Sequence, residues 1–106
     1  FEANNPELVE QIIDWRLEQD AGEVARESQG AAGVNFDASD RVGDIEIPTL
    51  ILHGTDDRVL PVKNSDLLAE KILNSRYERI EGGSHLFMIE DSKTVNDHLR
   101  EFLADV

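Results

Sequence analysis

The residues of this chain best placed to do chemistry are one aspartate and one histidine. Asp57 closes the turn Gly54-Thr55-Asp56-Asp57, and His85 is reached through Glu81-Gly82-Gly83-Ser84. Each follows a short run that reads as a strand, residues 48–53 before the acid and 76–80 before the histidine. A helical stretch lies between them. In a parallel β-α-β unit, both loops leave the sheet at the same edge. Neighbouring strands lie about 4.8 Å apart, so side chains on the two loops come within hydrogen-bond reach. An acid that orients a histidine is the base half of a nucleophilic triad.

The chain offers no convincing nucleophile to complete it. Cysteine is absent, which removes a thiolate nucleophile, disulfides and thiolate metal sites together. Ser28, in Glu27-Ser28-Gln29-Gly30, has half the look of a nucleophile elbow, but an elbow needs an apolar strand just before the serine. Residues 20–27 are charged and helical instead, and Arg26 stands at the first glycine position. Ser84 is too near His85, and Ser39 has no elbow context. A metal site from His53, Asp56, Asp57 and His85 lacks any supporting ligand spacing, so His53 reads as structural. The Gly82-Gly83 turn is not followed at once by a helix, so it is not a phosphate loop.

The elements that must position the pair are legible from periodicity. Asn5-Pro6 opens a helix over about 6–19, with Leu8, Val9, Ile12, Ile13 and Leu17 on one stripe and Trp15 off it. A weaker helix covers about 22–32 and ends at Gly33. Residues 35–44 are polar and turn-rich. The run Thr49-Leu50-Ile51-Leu52, set by Pro48, suits a strand covered on both faces. Pro61 introduces a helix over about 62–73, with Leu67, Leu68 and Ile72 inward. The second strand carries Arg76, Glu78 and Arg79, a polarity that suits an edge. Asp91 or Ser92 caps a last helix to about 104, with Val95, Leu99, Phe102 and Leu103 as its buried stripe. This is α/β architecture with only two strands, so further strands are expected ahead of residue 1 or from another chain.

Residues 48–61, read as PTLILHGTDDRVLP, together with EGGSHL at 81–86, resemble the C-terminal part of the α/β-hydrolase fold. The likeness is to its esterase, enol-lactonase and non-haem haloperoxidase branch. It covers residues 40–106 firmly, and 1–34 loosely as the end of a helical lid and the helix after it. The resemblance implies two parallel strands flanked by helices, preceded by two lid-type helices. It places the triad acid in a strand–HG-x-x-D–x-x-x–P turn, at Asp57 with Pro61 in register, and the triad histidine at His85. Asp56 is the alternative carboxylate. The implied activity is serine-dependent cleavage of carboxylic esters or lactones without a cofactor, by a nucleophile and oxyanion hole in a missing N-terminal part. The segment alone is then expected to be inactive. Leu86, Phe87 and Met88 would line an apolar substrate pocket, or else belong to the core. A non-catalytic association module, or a perhydrolase or acyltransferase on the same fold, are the alternatives.

Charge narrows the partners. Twenty-three acids face ten bases among 106 residues, a formal net charge of −13, which disfavours nucleic acid and anionic membranes. Seven of the bases are Arg and three are Lys (Lys63, Lys71 and Lys93). Such an acidic, lysine-poor composition suits concentrated salt, where the Debye length shrinks to about 3 Å at 1 M. No apolar run approaches the roughly 18 residues of a membrane span, and no leader is visible. A cytoplasmic location is expected. The start at Phe1 suggests a processed or cut segment, one that self-associates through its bare strand edge or its first helix.

Overall fold

A computed structural model describes residues 1–106, which divide into two compact units, Phe1–Asp37 and Ala38–Val106. The first unit holds a single 3-10 turn (Glu2–Asn4) and two helices, α1 (Pro6–Glu18) and α2 (Glu23–Asn35). Proline occupies the first turn of α1, where its missing N–H costs no helical bond. Asn5 does not cap that helix with its side chain, which donates instead to the Phe1 carbonyl at 3.1 Å. Gly22, at φ 87°, turns the chain between the helices, and Arg26 pairs back to Asp20 across it. The expected stop at Gly33 does not occur. Helix α2 runs on to Asn35, whose side chain bonds the Ala31 carbonyl at 2.8 Å. Neither helix contains a buried residue, and Ile13, Trp15 and Leu17 are half exposed or more.

The second unit carries the sheet. Strand β1 (Thr49–Gly54) pairs in parallel with β2 (Ser75–Ile80), in a register from Thr49 opposite Ser75 to Gly54 opposite Ile80. Helix α3 (Val62–Lys71) makes the crossover, and a short helix α4 (Phe87–Glu90) and helix α5 (Ser92–Asp105) follow β2. Side chains alternate across a strand. One face of the sheet meets α3: His53 reaches Ser65, and Tyr77 and Arg79 both reach Asp66. The opposite face meets α5, where Arg76 bonds Glu101 at 3.0 Å. The charges of β2 therefore fasten a helix to each face of the sheet, beyond the edge protection that the sequence suggests.

The core is small. Ile51, Ile72, Ile80 and Val95 are its buried apolar residues, gathered between the strands and the two helices. Asp91 caps α5 by accepting from the Thr94 N–H at 3.2 Å, as its sequence position predicts. Two expectations of burial are corrected. Leu67 on α3 is 45% exposed, and on α5 Leu99 and Leu103 are exposed while Val95 alone is buried. The reason is width. Two strands about 4.8 Å apart make a platform no broader than one helix of about 10 Å, so each helix overhangs it. The second edge of β1 carries no partner strand.

Candidate active site

The acid loop and the histidine loop both leave the C-terminal edge of the sheet, and their backbones are stitched together. Thr55 N–H donates to the Ile80 carbonyl at 3.0 Å, and Asp56 N–H to the Gly83 carbonyl at 2.9 Å. The Gly82 N–H returns a bond to the Thr55 hydroxyl at 2.8 Å. Gly82 sits at φ 70°, a left-handed conformation that favours glycine. A Cβ on Gly54 would fall 2.2 Å from the Gly83 carbonyl oxygen, so this contact also requires glycine.

Asp57 is held on both carboxylate oxygens. Its Oδ1 accepts the Val59 N–H at 2.8 Å and the Leu60 N–H at 2.9 Å, an Asx-type turn that fixes the side chain against its own loop. Its Oδ2 accepts from His85 Nδ1 at 2.9 Å, with His53 Nε2 at 3.3 Å on the other side. The Asp57 side chain is only 3% exposed, whereas that of His85 is 46% exposed. Burial pushes the Asp57 carboxyl up. The Leu60 N–H, the His85 ring, the Val59 N–H and the charge of His85 outweigh it and lower the pKa to about 2. Asp57 is therefore an anion at neutral pH. Donation from Nδ1 to the carboxylate places the proton of a neutral His85 ring there and leaves Nε2 open to exchange a proton with a third group.

The histidine loop has its own support. Glu90, on α4, accepts from the Ser84 N–H at 2.8 Å and from the Ser84 hydroxyl as well. The Ser84 Oγ in turn accepts the Leu86 N–H at 3.1 Å. Ser84 is thus a loop anchor, and Ser28 lies exposed inside α2, with no strand leading into it. Asp56 is exposed and takes part through its backbone. The structure brings Asp57 and His85 together and leaves Asp56 outside the pair. A cation at this edge would have to displace existing bonds, because both His53 nitrogens and both Asp57 oxygens already have partners.

Two contributors escape sequence reasoning. His53 was expected to be structural; it is buried and also reaches Asp57. Its place four residues ahead of the acid, at the strand end, is the one available signal. Glu90 acts across six residues through a short helix that periodicity does not reveal.

Residues 9–92 match the family model of the alpha/beta hydrolase fold, and the chain belongs to that family. It is 40% identical over 60 residues to Protein ABHD8 of Mus musculus, covering 57% of this chain and 14% of that one. To the non-heme haloperoxidase of Rhodococcus erythropolis it is 37% identical over 94 residues, 87% of this chain and 34% of the relative. The chain therefore spans well under half the length of these relatives. The crystal structure of a serine hydrolase involved in carbazole degradation (CarC enzyme) superposes with a TM-score of 0.78 at 23% identity. That match covers 92% of this chain and 40% of the other. The two parallel strands and their helices are the C-terminal part of the α/β-hydrolase fold.

Proposed function

We propose that this chain supplies the acid and the histidine of a serine-dependent hydrolase acting on carboxylic esters or lactones. The observation that carries the reading is the 2.9 Å bond from His85 Nδ1 to the buried carboxylate of Asp57, at the common edge of two parallel strands. The serine and the oxyanion donors come from a part of the protein outside these residues. His85 Nε2 takes the serine proton as the hydroxyl oxygen bonds to the acyl carbon, then delivers it to the leaving alkoxide as the ester bond breaks. A water molecule then gives one proton to Nε2 as its oxygen bonds to the acyl carbon. Nε2 returns that proton to the serine oxygen as the acyl–serine bond breaks, releasing the acid and restoring the serine. Asp57 holds the tautomer and stabilises the imidazolium between these transfers. No metal or cofactor is needed. Leu86 and Met88, both exposed beside His85, offer apolar surface to the substrate.

The haloperoxidase name of one relative supports a variant of the same chemistry, with hydrogen peroxide in place of water at the second step. Turnover of p-nitrophenyl acetate and of a simple lactone by the full-length protein tests the proposal. His85→Ala should reduce it to background, and the 106-residue chain alone should give none. Turnover by the isolated chain that disappears with His85→Ala would overturn the assignment of the nucleophile to another segment. Unchanged turnover by the full-length variant would overturn the reading itself.

A further inference from the structure

We propose that His53 is a positioning residue that holds the Asp57 carboxylate in register with His85, an inference that rests on the catalytic reading of that pair. His53 is buried, with 7% of its surface exposed, at the end of β1 on the face covered by α3. Its Nε2 lies 2.9 Å from the Leu60 carbonyl oxygen, which can only accept, so Nε2 carries a proton. Nδ1 of the neutral ring then accepts from the Ser65 hydroxyl at 2.6 Å. Ser65 is itself buried on α3, so the ring orientation is set by the helix packed on the sheet.

Nε2 also lies 3.3 Å from Asp57 Oδ2. A buried histidine that served packing alone would already be satisfied by Ser65 and Leu60. Here the same residue is gripped on both sides: the Leu60 N–H binds Asp57 Oδ1 while the Leu60 carbonyl binds His53. Asp57, Leu60 and His53 thus close a ring of contacts, and Oδ2 sits between two imidazoles, one buried and one open. Pro61 disfavours helical backbone at Leu60, which helps keep both of its backbone groups in place. Rotation of the carboxylate away from His85 would break bonds on both oxygens.

Asparagine and glutamine separate the two nitrogens of His53. The amide of Asn falls near the Nδ1 position and retains only the link to Ser65. The amide of Gln falls near Nε2 and can donate to Leu60 and Asp57. In the full-length protein on a p-nitrophenyl ester, His53→Asn should lower kcat on the order of tenfold to a hundredfold at nearly unchanged KM, as a misplaced catalytic group does. His53→Gln should restore most of it. The low-field proton of His85 Nδ1 should weaken in the Asn variant and persist in the Gln variant. Wild-type kcat in His53→Asn, whatever its melting temperature, overturns the proposal, as do equal losses in both variants. If the Asn variant does not fold, Ser65→Ala decides: a lower kcat at constant KM supports the proposal, and wild-type kcat overturns it. His85→Ala and Asp57→Asn run alongside. If these keep full turnover, the catalytic reading fails and the inference with it. If they lose turnover while His53→Asn keeps it, only the positioning role falls.

Discussion

Gly54 and Gly83 approach so closely that a single methyl group between them would sit 2.2 Å from a backbone oxygen. This contact joins the acid loop to the histidine loop, and backbone cannot yield as a flexible side chain can. Gly54→Ala should cost about 3 kcal/mol, at the upper end of what overpacking usually costs. It should also separate Asp57 from His85. Gly30, inside α2 with open space around it, is the control: alanine there should stabilise by about 0.5–1 kcal/mol. Chemical denaturation of the two variants checks both signs.

Acid should unfold the protein through its paired carboxylates. Asp57 is lowered to about 2, and Asp66, Asp91 and Asp97 are lowered by Arg79, Thr94 and Lys93 respectively. An unfolded aspartate titrates near 3.9, so between about 4 and 2 the unfolded chain binds more protons than the native one. These contributions are complete above pH ~4 and are lost as pH falls through the lower native values. Melting temperature should hold from pH 7 to 5 and drop steeply below about 4, with a shallower drop in Asp57→Asn. A flat profile down to pH 2 would contradict the pairings.

Salt should stabilise. The charge of −13 is concentrated on a compact folded surface, and screening relieves repulsion there more than in the expanded chain. The melting midpoint should rise clearly between 0.1 M and 2 M KCl. No rise would remove the reading of adaptation to concentrated salt.

The chain by itself should associate. The outer edge of β1 has no partner strand, and the apolar stripe of α1 contains no buried residue. Open strand edges recruit strands, and a twofold dimer is the commonest closed arrangement of identical chains. Sedimentation at micromolar concentration should show a species larger than the monomer. A folded, monodisperse monomer would show that the edge is tolerated.

The acid–histidine pair was legible because it depends on local patterns. An apolar strand, an HG-x-x-D turn and Pro61 fix where Asp57 emerges, and the glycine turn does the same for His85. The choice of Asp57 over Asp56 needed the resemblance to a family, since either could close the turn. Burial was less legible. The stripes of α3 and α5 predict a wider sheet than these residues build, so Leu67 and Leu103 are exposed. The roles of His53 and Glu90 stayed hidden because each depends on a contact made across a loop or helix rather than on a repeating pattern.

Comparing two neighbouring carboxylates tests the account most directly. In the full-length protein, Asp57→Asn should lower kcat for a p-nitrophenyl ester on the order of 10⁴-fold, as losing the acid of a triad does. Asp56→Asn, altering an exposed side chain beside it, should stay within about threefold of wild type, a change worth well under 1 kcal/mol in the barrier. Equal losses in the two variants, or a greater loss at Asp56, would contradict the assignment of Asp57 as the partner of His85.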